Sequence, residues 1–259
     1  MNARAPLYQA RYGSPDAPTP TAGSPVIDHL LAHRSVRAYL PDPVSDDTLT
    51  AIVAAAQSAA SSSNLHAWSV VAVRDPARKA RLAELAGDQE HIRQAPVLLV
   101  WLADLARLHD VATRVGESAA ALDYLEMFEV GVIDAALAAQ NAVTAAESLG
   151  LGTVYIGAMR NRPEDVAAEL QLPPRVVAVF GLCVGTPDPR HPAAVKPRPP
   201  QSVVLHQETY SLPAQQPGLY GPRFRRPLGL DEQLPAGELF HVEHAADGPP
   251  MLLAGAARD

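Results

Sequence analysis

The sequence predicts an α+β fold in which a central sheet lies between two layers of helices, a three-layer α/β/α arrangement. Three observations predict it. Four short segments are apolar throughout and have strand length, helical segments alternate with them, and 47% of the 259 residues are hydrophobic, enough for a large core. Strands that are apolar on both faces indicate that helices cover both sides of the sheet.

The first half of the chain supplies two helices, a strand and a third helix. From Val26, VIDHLLAHR places apolar residues on one helical face, and a second helix follows Ser45, whose hydroxyl is a typical cap ahead of an acidic first turn. Residues 68–73 (WSVVAV) are β-branched and short, which predicts a strand. ARKARLAELAG then has helical spacing and ends at Gly87.

The second half contains the other three strands. Residues 96–104 (PVLLVWLAD) form a continuous apolar segment, and residues 119–149 are alanine-rich and almost free of helix breakers. GTVYIG at 152–157 and RVVAVFGLCVG at 175–185 are the remaining strands. Between them PEDVAAELQL starts with a proline, which is typical of a first helical turn.

Prolines mark the two ends of the chain. There are 25 of them, about twice the usual frequency of roughly 5%, and they gather before residue 26 and after residue 186. Since proline removes a backbone donor and ends regular elements, residues 1–25 are predicted to be a Pro-rich N-terminal extension. We expect one domain over 26–210 and a Pro/Gly-rich C-terminal extension of that domain over 211–259.

Composition excludes several classes of protein. With 28 acidic and 21 basic residues and a net charge of -7, the chain has no field that would attract nucleic acid. One cysteine excludes a disulfide framework, and its place in an apolar strand makes Cys183 a small core residue. The first 23 residues contain no apolar run of signal-peptide length, and the apolar stretches elsewhere fall well short of about 18 residues, so we expect a cytoplasmic protein with no membrane partner. Phosphate-loop, dinucleotide, zinc-protease and hydrolase motifs are absent, and no metal is expected.

Residues 33–37 (HRSVR) are the first candidate for chemistry. In an extended segment Arg34 and Val36 point one way while Ser35 and Arg37 point the other. Guanidinium groups bind phosphate oxygens bidentately, which makes the segment suitable for a phosphate. Cations that favour a helix C-terminus are an equally good explanation of this motif alone.

Three further segments carry polar groups or glycine at the ends of predicted elements. The serines of 61–64 (SSSN) could bond a ribityl chain or a phosphate, and in KPRPP at 196–200 the prolines stiffen a segment with two cations. YIGA at 155–158 ends a strand with a glycine, where a flat ligand can approach the backbone. The alternative interpretations are a solvated turn for SSSN, a solvated loop for KPRPP and a simple strand end for YIGA.

Taken together, these motifs resemble the nitroreductase family of FMN enzymes. HRSVR, SSSN, the Gln89 segment GDQEHIRQAP, AAESLGLGTVYIGAMRN and VFGLCVG followed by KPRPP occur in the family's order over about 26–210. They are most similar to the NADPH-dependent, oxygen-insensitive nitroreductase and flavin reductase branch. The resemblance implies a mixed sheet flanked by helices, in an intertwined homodimer that binds FMN at the subunit interface.

The resemblance also implies a role for each motif. The FMN phosphate would be held by His33, Arg34, Ser35, Lys196 and Arg198, and Arg37 would lie near N1 and the C2 carbonyl of the flavin. The serine loop and a glutamine would bond the cofactor through Ser61, Ser62, Ser63 and Gln89. The strand end along the ring would be Tyr155, Ile156, Gly157 and Ala158. Asn64 and Arg160 would contact the substrate.

The implied reaction is a ping-pong transfer of hydride from NADPH or NADH through FMN to a small-molecule acceptor: a nitroaromatic, a quinone or a free flavin. Ala158 stands where the branch usually has a second glycine. After Tyr210 the resemblance ends, so Arg223, Arg225 and Arg226 cannot be aligned with the family's NADPH-binding arginines. The alternative is a non-redox flavin-binding or flavin-handling protein whose altered tail closes the site to NAD(P)H.

Overall fold

The computed structural model describes residues 3–211, and four strands form one sheet. Each predicted strand is present, with ends within one residue of the prediction. The sheet order is β1-β2-β4-β3, and every pair of these strands is antiparallel. In the described chain, parallel pairing is limited to an isolated bridge between Ser35 and Thr153 beside β3. The strands are β1 (Trp68–Val73), β2 (Val97–Asp104), β3 (Gly152–Ile156) and β4 (Val176–Gly185).

The helices predicted from periodicity are present, and three further helices lie where no periodicity was noted. The Ser45 cap is confirmed, since its hydroxyl accepts from the Thr48 amide at 3.1 Å. The helices are α1 (Ala5–Tyr12), α2 (Pro25–Leu31), α3 (Asp46–Gln57), α4 (Pro76–Leu85), α5 (Glu90–Gln94), α6 (Ala106–Arg114), α7 (Leu125–Ser148) and α8 (Pro163–Glu169), and short 3₁₀ turns occupy Ser62–Asn64, Ala120–Asp123, Gly157–Arg160 and Gln201–Val203.

Two apolar clusters, one on each face of the sheet, confirm the three-layer fold. The side chains of β2 alternate between them: Leu98 packs with helix α4 and α5 residues such as Leu82 and Ile92, whereas Trp101 packs with α3 and α7 residues. All eight residues of β2 are buried, which explains why its sequence is apolar without alternation.

Helix α7 is alanine-rich because it lies very close to the sheet. A Cβ added to Gly131 would lie 3.0 Å from the Ala103 Cβ and 3.2 Å from the Ala67 carbonyl oxygen. Larger residues on this face would force the helix away from β2. The opposite face of α7 carries larger apolar residues, since Ile133 and Leu137 are exposed there in the single chain.

The N-terminal extension contains a helix that proline content did not predict. Pro6 lies in the first turn of α1, where a missing amide hydrogen costs nothing, and Gly13 ends the helix with φ at 65°. Tyr8 of this helix is buried. The first 25 residues are therefore partly ordered on the domain rather than a linker throughout.

The chain divides into two compact units, Met1–Arg198 and Pro199–Asp259. Of the second unit, residues 199–211 are described, and within it the rings of His206 and Tyr210 lie 4.6 Å apart. Beyond Ser211, the C-terminal extension with Arg223, Arg225 and Arg226 lies outside the described residues, so the boundary at 210 stays a prediction. No described helix is long and apolar enough to cross a membrane.

Candidate functional site

The HRSVR segment leaves α2 and runs beside the edge of the sheet. The amide of Val36 donates to the Thr153 carbonyl on β3 at 2.8 Å, which holds the segment extended. Val36 is buried, whereas Arg34 and Arg37 are exposed. Arg34 and Val36 border a cavity of about 110 Å³, while Ser35 and Arg37 border another. The edge of β3 therefore presents the two arginines to different spaces.

The second of these spaces joins the two basic segments of the chain. It has a volume of about 280 Å³. Ser35 and Arg37 line it on one side, and Lys196, with residues 191–194, lines it on the other. Residues about 160 positions apart in the sequence thus meet at one cavity, which sequence motifs alone could not establish.

The cations here lack acidic partners. Within residues 3–211, Arg34, Arg37, Lys196 and Arg198 form no ion pair, although the whole chain has an acidic net charge of -7. Uncompensated like charges held near one another repel, and an anion between them removes that cost. The arrangement therefore favours an anionic group such as a phosphate.

His33, the first residue of the motif, is held by a carboxylate on α7. Its Nδ1 donates to Glu147 Oε1 at 2.8 Å, and the Thr153 hydroxyl donates to the same oxygen at 3.0 Å. This contact anchors the end of α2 to α7 and leaves Nε2 of His33 free of that pair. Glu147 is a structural residue of the site that the motif search did not single out.

Asp188 bonds two of the residues that line this cavity, Ala38 and His191. Its amide donates to the Ala38 carbonyl at 3.0 Å, and its carboxylate accepts from Arg190 and from His191 Nδ1 at 3.1 Å. The Arg190 side chain, then the Arg190 backbone amide, hold the pKa of Asp188 below its ordinary value. A lowered pKa in the folded state stabilises the fold above the ordinary pKa, and the stabilisation is lost as pH falls through the lowered one.

We therefore expect Asp188→Asn to make stability less sensitive to acid. Below about pH 5 the unfolded parent takes up a proton at Asp188 while the folded state keeps this carboxylate ionised, so the parent loses stability as the pH falls toward 3; the variant has no carboxylate there. The measurement is the thermal midpoint at both pH values. Asp42→Asn is the control, at an exposed residue with no ion-pair partner in residues 3–211. An equal drop for parent and Asp188→Asn contradicts the prediction.

Gln89 is the residue that precedes the first turn of α5. Its Nε2 donates to the Ala86 carbonyl at 2.7 Å, which leaves Oε1 to accept from a ligand. A Cβ on nearby Gly87 would lie 3.8 Å from Asn161 Nδ2, so this loop borders the residues that follow β3. His91, two positions on, was missed by the motif search.

His91 has a buried Nε2 with no hydrogen-bond partner in residues 3–211. Burial, and then the charge of Arg37, lower the pKa of His91, so its ring is neutral at pH 7. A buried ring nitrogen without a hydrogen-bond partner lowers the stability of the fold, and only the structure shows that His91 has one.

The YIGA segment turns from β3 into a 3₁₀ turn. Ile156 is buried in the core, so a ligand can contact only its backbone. Tyr155 packs edge-on to Phe180 with ring centroids 5.1 Å apart, and burial followed by the nearby Glu147 raises the pKa of Tyr155. The first amides of a helical turn lack partners within it, which makes those of Gly157 and Ala158 candidate donors.

Arg160 folds back over this turn. Its Nη1 donates to the Val179 carbonyl at 2.6 Å, and Nη2 lies 3.3 Å from where a Cβ on Gly157 would be. A side chain at position 157 would therefore displace the guanidinium. Arg160 is held at the turn, beside the predicted cofactor position, with donors still unused.

The serine loop is organised by Asp134, a buried residue of α7 that is 1% exposed. Its carboxylate accepts from the Ser61 hydroxyl at 2.8 Å, the Ser62 amide at 3.2 Å and the Ala67 amide at 2.9 Å. The Ser61 oxygen also accepts from the His66 amide at 2.7 Å. Ser61 thus uses its hydroxyl within the loop, although the resemblance assigns it to the cofactor.

The other members of the loop are exposed. Ser63 and Asn64 have positive φ values of 48° and 57°, an uncommon conformation that the contacts to Asp134 help to maintain. Asn64 Oδ1 bonds His66 Nε2 at 3.0 Å, while the hydroxyls of Ser62 and Ser63 face solvent. These two are the loop hydroxyls available to a ligand.

The serine loop and the phosphate cations lie far apart in one chain. The loop contacts Asp134 and the HRSVR segment contacts Glu147, and these helical positions are thirteen residues apart, about 20 Å at 1.5 Å per residue. A single chain therefore does not bring together all the residues that the sequence analysis groups. Among the residues described, no cluster of side chains could hold a metal ion.

Comparison with known proteins agrees with these motifs. The model of the nitroreductase family matches residues 30–186. An FMN reductase (NAD(P)H) of Bacillus subtilis is 44% identical over 192 residues, 71% of this chain and 74% of the relative. An oxygen-insensitive NADPH nitroreductase of Salmonella typhimurium is 42% identical over 187 residues, covering 72% and 75% of the two chains.

Solved structures are similar in fold as well. NfrA1 of Bacillus megaterium aligns with a TM-score of 0.71 and 42% identity, covering 73% of this chain and 76% of that one. The NADPH:FMN oxidoreductase of Vibrio harveyi, complexed with NAD+, aligns with a TM-score of 0.69 and 35% identity, covering 79% and 84%. The resemblance drawn from the motifs is confirmed, and the chain belongs to the nitroreductase family of oxidoreductases.

Proposed function

We propose that this protein is an FMN-dependent NAD(P)H oxidoreductase. When bound, FMN would supply the redox chemistry of hydride transfer between NAD(P)H and the acceptor. The relatives named for FMN reduction and for NADPH nitroreduction support this activity. The pyridine nucleotide and the acceptor occupy the same space in turn, which makes the reaction ping-pong, and the acceptors are nitroaromatics, quinones or free flavins.

The observation that carries the proposal is the set of cations at the two basic segments that have no ion-pair partner among residues 3–211. A phosphate needs several donors that lie close together, and here Ser35 and Lys196 line one cavity, Arg34 on the first segment borders the neighbouring cavity with Glu147, and Arg198 lies on the second segment. These donors fit the FMN phosphate. Their charge-assisted hydrogen bonds orient the cofactor from its phosphate end.

The residues near Arg37 fit the flavin ring end. Arg37 would stabilise negative charge at the pyrimidine part of the ring, since a fixed cation in a partly enclosed site needs no reorganisation during the reaction. Gln89 offers its free Oε1 to a ring N–H. The amides of Gly157 and Ala158 would donate along the ring edge, and Arg160 would contact the substrate or NAD(P)H.

The proposed functional unit is a homodimer. One chain places its serine loop about 20 Å along α7 from its own phosphate cations, so Ser62 and Ser63 can complete the site only from a second copy. Ile133 and Leu137 leave an apolar strip exposed on α7, and covering such a strip favours association. FMN would then lie between the subunits.

Anaerobic absorbance of the purified full chain, loaded with FMN, tests the activity. Stoichiometric NADPH, and separately NADH, are expected to bleach the visible flavin band, and the two rates measure the nucleotide preference. A menadione or nitrofurazone addition should then restore the band. A flavin band that persists with both nucleotides would contradict the oxidoreductase and favour a flavin-handling protein that does not use NAD(P)H.

A further inference from the structure

Arg11, on helix α1, is buried between the two basic segments. Only 8% of the residue is exposed. Its Nη2 donates to the carbonyls of Leu31 at 2.8 Å and His33 at 2.7 Å, and its Nη1 donates to the carbonyl of Lys196 at 3.1 Å. One guanidinium therefore ties the end of α2 to the segment 196–198.

The backbone at the end of α1 makes a second tie to the same segment. The Arg198 amide donates to the Arg11 carbonyl at 2.8 Å. Gly13 reverses the chain with φ at 65°, and a Cβ there would lie 2.9 Å from Pro197 Cγ. The end of α1 thus contacts three consecutive residues, Lys196, Pro197 and Arg198.

Arg11 adds positive charge where other cations already lie. All three of its hydrogen bonds named above go to carbonyl oxygens rather than to a carboxylate. Burial lowers the pKa of Arg11, and the charge of Arg198 lowers it further. Holding these cations together is unfavourable in the free protein, and an anion at the segments they carry offsets that repulsion.

We propose that Arg11 is a positioning residue for the phosphate site, which holds the segment 196–198 against the segment 33–35 before the phosphate binds. This inference rests on the proposed FMN function. Because its bonded nitrogens donate to carbonyl oxygens, Arg11 holds the two segments in place rather than contacting the phosphate. A site whose cations are already converged does not have to order two loops when the ligand binds, and that raises affinity.

The test compares FMN with riboflavin, which has the same ring and ribityl chain but no phosphate. Dissociation constants are measured by flavin fluorescence on the full chain stripped of cofactor. For Arg11→Ala we expect the FMN constant to rise about tenfold, the loss of roughly one charge-assisted hydrogen bond, and the riboflavin constant to change by less than about twofold. Arg11→Lys, whose ammonium can still reach carbonyl oxygens, should recover part of the loss.

Arg4→Ala is the matched control. Arg4 also belongs to the N-terminal extension and pairs with Asp28 of α2 at 2.6 Å, so this substitution removes the same charge and a tie between the same two helices. The Arg4–Asp28 pair does not include the segment 196–198, so we expect Arg4→Ala to bind both flavins with the affinity of the parent. A loss equal to that of Arg11→Ala would show a general effect of the extension and overturn the assignment.

The remaining outcomes separate the two proposals. An Arg11→Ala protein with parent-like FMN affinity, or with equal losses for FMN and riboflavin, overturns the positioning role and leaves the oxidoreductase intact. A parent that binds neither flavin overturns the proposed function and this inference with it. If Arg11→Ala does not melt cooperatively, Arg11→Gln, which keeps one amide donor, is measured against the same criteria.

Discussion

Arg34→Ala and Arg198→Ala are each expected to weaken FMN binding by about 1.5 to 3 kcal/mol, the size of a hydrogen bond to a charged group. The two residues lie on segments far apart in sequence, and neither has an acidic partner among residues 3–211 whose release could compensate. The loss corresponds to roughly a tenfold to hundredfold rise in the dissociation constant. Titration of the stripped protein with FMN at one fixed salt concentration measures it, because salt screens such contacts.

Arg114→Ala is the control for charge alone. Arg114 is exposed on α6 and pairs only locally with Asp110 at 2.9 Å, so its removal changes the net charge by the same amount without touching the site. It should bind FMN as the parent does. Parent-like affinity of both Arg34→Ala and Arg198→Ala would refute the phosphate assignment, whereas weaker binding by Arg114→Ala as well would indicate a long-range effect of charge.

Asp134→Ala is expected to lower the free energy of unfolding by about 3 kcal/mol, since it leaves buried donors without an acceptor. The Ala67 amide is buried and bonds this carboxylate, and Ser61 and Ser62 bond it as well. The serine loop would lose the contacts that hold its positive φ residues. We therefore expect weaker FMN binding in addition to a lower urea midpoint.

Asp134→Asn separates the two effects. The amide oxygen can still accept from part of the loop, so the loss of stability should be about half as large or less. Asp110→Ala, at an exposed residue of α6, is the control for removing an acidic side chain. A parent-like urea midpoint for Asp134→Ala would contradict the role of this carboxylate in the loop.

Strands and long helices were predictable because their signals are local. A segment such as residues 97–103 is apolar at every position, and it is buried on both faces in the structure. The Ser45 cap depends on residues three apart, and it is present with its expected bond. Helix α1 was missed because proline content outweighed the helical residues between Pro6 and Gly13.

The functional site was predictable only in pieces. The motifs around Arg34 and Lys196 could be read one at a time, and each had an ordinary alternative as a charged turn or loop. Arg11 carried no signal in the sequence, because its role lies in buried contacts with distant residues, and the partnerless Nε2 of His91 is visible only in the structure. Asp134 was not predicted from the sequence, because the donors that it accepts from lie about seventy residues away along the chain.

The sequence by itself determined the order of the four strands and of the periodic helices, the three-layer architecture and the family, since apolar periodicity and ordered motifs depend on residues that are neighbours along the chain. Only the tertiary structure decided which charges meet. It joined Arg37 to Lys196 at one cavity and placed Arg11 between their segments. It also separated the serine loop from them along α7. The physical reason is that convergence depends on the path of the whole backbone, and electrostatic energy depends on distance in space rather than in sequence.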